Sequence, residues 1–257
     1  MSEVRIAAVG DVHLAEDARG RLRPALEQVG EHADVLLLAG DLTRHGSMDE
    51  ARVVADEFAG LPVPVVAVLG NHDYHCDAQD EISALLCDSG IQVLEGSSAT
   101  VPVNGCRLGI AGVKGFGGGF AGKCGSAFGE PEMKAFVRHT EDAAARLVSA
   151  LRGLDCDLRV ALTHYAPVPE TLRGEPPEIY PFLGSYLLAE AIDAGRADLA
   201  IHGHAHFGSE QGSTPGGVRV RNVAQPVIRS AFAVYCVQVS AVQVSAMSGS
   251  QPVHQPA

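Results

Sequence analysis

Basic residues are in short supply. The 257-residue chain carries 19 lysines and arginines against 31 aspartates and glutamates, a formal charge of −12. That balance disfavours nucleic acid as a partner, because a polyanion asks for a basic face. It still admits a small phosphorylated substrate, since bound cations invert the local field of a carboxylate-lined site. Long apolar runs are also missing. Stretches such as 35–39 are far too short to cross a bilayer, so no membrane association is expected. The opening residues, MSEVRIAAVGD, have an early acid and no apolar stretch ahead of a small-residue cleavage site. A secretory signal is therefore not expected, and the chain reads as cytoplasmic. None of the six cysteines (Cys76, Cys87, Cys106, Cys124, Cys156, Cys236) sits in a C-x-x-C pair. They are expected to be reduced thiols, with Cys106 and Cys236 as small core residues within strands. No repeat or linker divides the chain. It reads as one domain over 1–244 with a disordered tail at 245–257, and nothing in it sets the oligomeric state.

What is present is an ordered α/β pattern. Hydrophobic residues make up 46% of the chain and charged residues 19%, a globular balance. Apolar runs at 4–9, 35–39 and 65–69 alternate with helical spacing at 21–31 and with a helix opened by the capping box Ser47-Met48-Asp49-Glu50 and running to Phe58. This β-α-β-α-β order predicts parallel strands with right-handed crossovers, whose carboxyl edge is where ligands bind. A helix is expected over 80–87. Short strands follow near 92–94, 100–103 and 107–111, the last two joined by the hairpin signal Asn104-Gly105. A glycine-dense loop at 114–130 leads to a helix from Pro131 to about Leu151. A strand at 159–162, a helix at 186–194 and a strand at 197–201 come next. Two late runs, 218–223 and 231–239, read as strands of a second sheet.

Five of the apolar runs end in polar clusters: Gly10-Asp11-Val12-His13, Gly40-Asp41, Gly70-Asn71-His72-Asp73, His164, and Gly203-His204-Ala205-His206. Such side chains gain little in a core. Imidazole and carboxylate together suit transition metals, and a glycine before the ligand lets the backbone turn sharply off the strand. Each cluster alone is weakly specific; all five in this order are highly specific.

The order D-x-H, G-D, G-N-H-D, H, G-H-x-H over residues 11–206 resembles the calcineurin-like metallophosphoesterase superfamily. The resemblance implies an α/β fold, a four-layer α-β-β-α sandwich of two mixed sheets packed face to face. It also implies a dinuclear centre of divalent or transition metal ions (Mn, Fe, Ni or Zn). Asp11, His13 and His206 would hold one metal, Asn71, His164 and His204 the other, and Asp41 would bridge both. His72 would be the catalytic residue near the leaving group. The implied activity is that of a metal-dependent phosphoric ester hydrolase, a phosphodiesterase or phosphatase acting through a metal-bridging hydroxide. A nucleotide pyrophosphohydrolase or nuclease is the alternative within enzymes. A non-catalytic metal-bound interaction module is the alternative outside them, and the full ligand set argues against it.

One position departs from the pattern. Where many relatives place an aspartate that orients the catalytic histidine, three residues after Asp41, this chain has Arg44. An arginine side chain cannot accept the His72 ring proton, which puts the acid role of His72 in doubt. Arg44 is a candidate substrate contact instead, as are His45 and His75. Good leaving groups are then expected to be favoured. Gly117 to Gly122 matches G-x-G-x-x-G, but no helix starts at its third glycine, so it reads as a mobile loop near the site. Lys114 and Lys123 read as solvated, with a phosphate contact as the alternative. Tyr180 and Phe182 either stack on a substrate ring or pack over the core. Asn222 either supports the site or simply ends a strand.

Overall fold

The computed structural model describes residues 2–239. The tail assigned to 245–257 lies outside that range. In chain order the elements are β1 (Ser2–Val9), α1 (Arg23–Leu26), α2 (Val29–His32), β2 (Val35–Ala39), α3 (Met48–Phe58), β3 (Val65–Val68), α4 (Gln79–Asp88) and β4 (Ile91–Val93). There follow β5 (Ser97–Val103), β6 (Cys106–Val113), β7 (Gly119–Phe120), β8 (Lys123–Cys124), α5 (Pro131–Arg152) and β9 (Leu158–Thr163). The chain continues through α6 (Tyr180–Leu183), α7 (Tyr186–Ala194), β10 (Leu199–His202), β11 (Gln211–Ser213), β12 (Arg219–Asn222), α8 (Gln225–Ile228) and β13 (Ala233–Val239). No helix among the described residues is long and apolar enough to cross a membrane.

Two mixed sheets are stacked, in the orders β13-β1-β2-β3-β4 and β11-β12-β10-β9-β6-β5. Strand periodicity decides the layering. Ile6, Ala8, Leu37, Ala39, Val66 and Val68 face Leu108, Ile110, Val160, Leu162 and Ile201 across the inter-sheet core. The alternate residues Ala7, Val9, Leu36, Leu38 and Ala67 pack outward on Leu26, Val54, Phe58, Ile82 and Leu86. On the far side Ala111, Val113, Ala161 and Ala200 meet Leu147, Leu151, Leu188 and Ile192 of α5 and α7. The result is the expected sequence of helix, sheet, sheet, helix. Each fully buried leucine or isoleucine contributes about 1.5–3 kcal/mol.

Several local expectations change. The helix expected over 21–31 is two short pieces divided by a turn at 27–28; Pro24 and the buried Glu57 carboxylate, which accepts the backbone N–H groups of Leu22 (2.9 Å) and Arg23 (2.7 Å), set the start of the first. In the capping box, Ser47 Oγ accepts from the Glu50 N–H (3.2 Å), but Glu50 turns its own carboxylate to His45. The late strand β13 belongs to the first sheet, antiparallel to β1 with Ser2 opposite Val239, and not to the second. Periodicity reports that a segment is a strand; it does not say which edge remains open. As an edge strand β13 buries only Val237, so Cys236 points outward instead of into the core, whereas Cys106 is buried. The glycine-dense segment is no free loop: residues 114–120 are largely buried, with Gly118 and Gly119 donating to the carbonyls of Pro181 (2.7 Å) and Gly184 (2.9 Å).

Candidate metal centre

The carboxyl ends of β1, β2, β3, β9 and β10 meet at one edge of the sandwich, and the loops leaving them are stitched together by main-chain bonds. Asp11 N–H donates to Gly40 O (2.9 Å), His13 N–H to Asp41 O (3.1 Å), and Gly203 N–H to His164 O (3.1 Å). Asp11, His13, Asp41 and His204 all hold left-handed backbone conformations, with φ of 56°, 42°, 51° and 70°. Non-glycine residues enter that region at a cost, and such strain persists only where surrounding structure holds it. Here it aims four polar side chains off the strand ends toward one another.

The seven expected ligands converge. Donor atoms of Asp11, His13, Asp41 and His206 lie within 4.8 Å of one another, and so do those of Asp41, His164 and His204. Asp41 is common to both groups. His206 Nε2 lies 2.9 Å from Asp11 Oδ1 and 3.3 Å from His13 Nε2. On the other side His164 Nε2 is 3.3 Å from Asp41 Oδ1 and 2.9 Å from Asn71 Oδ1, which brings in the amide as well. Outer contacts orient the rings. His164 Nδ1–H donates to Ala39 O (2.8 Å), leaving Nε2 toward the cluster. His204 Nε2–H donates to Phe182 O (3.3 Å), leaving Nδ1 for a ligand role. Metal-binding imidazoles are commonly anchored in this way through the second nitrogen.

The electrostatics suit a cation. Asp11 and Asp41 are buried carboxylates, and burial pushes Asp41 up to about 6 and Asp11 above its usual range. Burial likewise holds His13 down at about 3 and lowers His164 and His204, so these rings are neutral donors at physiological pH. Neutral imidazoles around two costly buried anions form a donor set that divalent ions would complete. Because Asp41 must lose its proton before binding, Mn²⁺ affinity is expected to fall at least about tenfold as pH drops from 7 through 6 to 5. His206, raised by its bond to Asp11, works in the same direction. Calorimetric titration in a non-chelating buffer measures this; a pH-independent affinity would contradict it.

The puzzle at Arg44 resolves in the main chain. The Arg44 backbone carbonyl accepts the His72 Nδ1–H at 2.7 Å, which turns His72 Nε2 inward to 3.9 Å from Asp41 Oδ2. Sequence reasoning considered side chains alone and missed this acceptor. It also missed Asp73, which is fully buried and receives Thr43 N–H (2.8 Å), Thr43 Oγ1–H (2.6 Å), Gly70 N–H (2.8 Å) and Leu42 N–H (3.2 Å). Asp73 thereby clamps the Asp41 loop to the Asn71–His72 loop, and its place inside G-N-H-D was the available signal. Asn222 supports the G-H-x-H loop through Nδ2–H to Ala205 O (2.8 Å).

His45 and His75 do not join the cluster. His45 is 61% exposed and pairs with Glu50 (3.1 Å), and the exposed His75 ring lies 6.1 Å from it. The Arg44 side chain is exposed. Tyr180 packs with its hydroxyl on Leu172 O, while Phe182 is 61% exposed beside the site. Lys123 is exposed as expected, but Lys114 is buried, contrary to the solvated reading; three aromatic rings enclose it.

A family model described as calcineurin-like phosphoesterase matches residues 4–208. No curated protein matches the chain in sequence. Solved structures share the fold. The phosphopantetheinyl hydrolase from Mycobacterium tuberculosis is similar at 15% identity, with a TM-score of 0.65 over 90% of this chain and 95% of that one. A 5'-nucleotidase precursor from Thermus thermophilus is 17% identical, with a TM-score of 0.50 over 86% of this chain and 48% of the other. GAP50, the anchor in the inner membrane complex of Plasmodium, is 11% identical, with a TM-score of 0.52 over 88% and 73%.

Proposed function

The chain belongs to the calcineurin-like phosphoesterase family of metal-dependent phosphoester hydrolases, and from that premise we propose that it cleaves a small phosphate ester or diester at a two-metal centre. Asp11, His13 and His206 would hold one ion, Asn71, His164 and His204 the other, and Asp41 would be shared. The carrying observation is that Asp41 belongs to both groups of mutually close donor atoms. When bound there, a pair of divalent ions would supply positive charge for the phosphoryl oxygens and lower the pKa of water toward neutrality. The likeness to a phosphopantetheinyl hydrolase and a 5'-nucleotidase supports a small-molecule substrate. The charge of −12 supports the same reading over a nuclease.

The protein's own groups divide the remaining work. Asp41 Oδ1 accepts the His72 backbone N–H (2.8 Å), which ties the catalytic loop to the shared ligand. With Nδ1–H committed to the Arg44 carbonyl, a protonated His72 presents Nε2–H to the leaving oxygen. Esters with good leaving groups, which depart without a proton, are expected to be favoured. His72→Gln is expected to slow alkyl monoesters by about 10²-fold, within the usual span for general acids. The same change is expected to slow p-nitrophenyl esters by less than about tenfold, because p-nitrophenolate departs without a proton. Equal losses for p-nitrophenyl phosphate and glycerol phosphate would remove His72 from the acid role.

The function is tested by stripping metal with a chelator and assaying bis-p-nitrophenyl phosphate and p-nitrophenyl phosphate with and without Mn²⁺. Hydrolysis is expected to disappear and return with the ion. Failure to restore any hydrolysis with Mn²⁺, Fe²⁺, Ni²⁺ or Zn²⁺ would favour a binding module.

A further inference from the structure

A cavity of about 420 Å³ adjoins the candidate metal centre, lined by Asn71, Tyr74, Glu95, Lys114, Arg146 and Tyr165 among others. Asn71 is one wall of both spaces. Lys114 is joined to the centre through its carbonyl, which accepts the backbone N–H groups of His164 (3.0 Å) and Tyr165 (3.1 Å). The Tyr165 ring lies 4.4 Å from that of His204. A substrate held at the metals therefore has this cavity within direct reach.

The Lys114 ammonium is the unusual feature. The residue is 8% exposed, yet among the described residues the ammonium makes one hydrogen bond, a long contact of 3.4 Å to Gly115 O, and no carboxylate stands within ion-pair distance of it. Its Nζ lies 4.8 Å from the Tyr74 ring centre and 5.2 Å from those of Phe116 and Tyr165. Those rings hold a cation in place but accept no strong hydrogen bond. Glu95 is already engaged: Oε2 accepts the Lys114 backbone N–H (2.9 Å) and Oε1 accepts Arg146 Nη2–H (2.7 Å). Burial lowers the pKa of Lys114, against the pull of the Glu95 and Asp41 carboxylates nearby. If the position served packing alone, methionine would fill it without burying a charge. With Arg146 at the side, the cavity carries two cations against one occupied carboxylate.

We propose that this cavity is a second anion subsite, in which Lys114, aided by Arg146, receives a carboxylate or phosphate carried by the substrate apart from the phosphoryl group being cleaved. This rests on the phosphoesterase reading and narrows it: the substrate bears two anionic groups, with the flat walls of Tyr74, Phe116 and Tyr165 flanking the part between them. The preference is built from charge and should weaken as added salt screens the half-exposed Arg146.

Two substrate pairs test it. 4-Nitrophenyl phosphate is compared with 3-carboxy-4-nitrophenyl phosphate, and adenosine 5′-monophosphate with adenosine 3′,5′-bisphosphate, all with Mn²⁺. The wild-type protein is expected to show a KM at least about tenfold lower for the second-anion member of one pair, and that pair identifies carboxylate or phosphate as the group received. Lys114→Met is expected to bring the KM ratio close to one, and Arg146→Gln to reduce it severalfold. No preference within either pair in the wild type overturns the subsite. So does a Lys114→Met protein that shifts both members of a pair equally or alters kcat alone, as a purely structural lysine would. If Lys114→Met does not fold, the wild-type ratios and Arg146→Gln decide. If the wild type hydrolyses none of the four, the phosphoesterase reading is judged separately by bis-p-nitrophenyl phosphate with Mn²⁺ and fails only if that diester also resists. The subsite is then judged by equilibrium binding of 3-carboxy-4-nitrophenol against 4-nitrophenol, expected to differ about tenfold in the wild type; equal binding rejects it.

Discussion

Asp41→Asn is expected to lower the hydrolysis of bis-p-nitrophenyl phosphate by about 10³-fold or more. A single transition-state donor is worth about 10²–10³-fold when lost, and Asp41 serves both halves of the centre. Its Oδ1 lies 3.3 Å from His164 Nε2 and accepts the His72 N–H, while Oδ2 lies 3.8 Å from His13 Nε2. Asparagine keeps the volume and one carbonyl oxygen, so the bond from His72 N–H survives. It loses the negative charge and the second acceptor, so two ions can no longer share the group. Metal content per chain, measured by elemental analysis after Mn²⁺ loading and desalting, is expected to fall together with the rate. The fold should survive, because the change removes a buried charge that burial already disfavours. An Asp41→Asn protein that keeps two ions and a rate within tenfold of the wild type would dissolve the shared-ligand assignment.

Gly40→Ala is expected to cost about 2–5 kcal/mol of stability, read as a lower midpoint in urea at unchanged slope. Two terms add. The backbone at Gly40 has φ of +83°, where a Cβ costs about 1–2 kcal/mol. The Cβ would also stand 2.6 Å from His164 Nδ1 and 2.8 Å from Gly70 N, and overpacking of that kind costs about 1–3 kcal/mol. His164 is pinned by Ala39 O and cannot retreat without losing that bond, so activity should fall as well. Gly60→Ala is the control. Gly60 has φ of +63° with nothing within 4 Å of a built Cβ, so only the conformational term of about 1–2 kcal/mol is expected, with no change in rate. Equal losses for the two variants would show that the close approach at Gly40 carries no weight.

Much of the centre was legible because ligand chemistry is written in side chains. Gly40-Asp41 and Gly203-His204 announce sharp turns off strands, and the residue types name the donors. The edges of β2, α3 and α7 were readable for a similar reason: an unbroken apolar run, a serine cap and helical spacing are local signals. The 21–31 segment misled because Pro24 and the distant Glu57 carboxylate, which accepts the Leu22 and Arg23 N–H groups, fix where α1 begins, and a turn at 27–28 divides it from α2, features that helical spacing alone does not carry. The placement of β13 misled because sheet membership is settled by which edge stays unpaired, and that is a property of the whole sheet.

The order of donor residues and the alternation of strands and helices were determined by the sequence alone, since side-chain identity and periodicity are carried in each segment separately. The surroundings of those donors were decided only in the tertiary structure. The Arg44 carbonyl that orients His72 belongs to a backbone group every residue possesses, so no letter of the sequence marks it. Lys114 became a buried ammonium in a cavity because rings from three separated positions, Tyr74, Phe116 and Tyr165, close around it, and desolvation is a consequence of that closure.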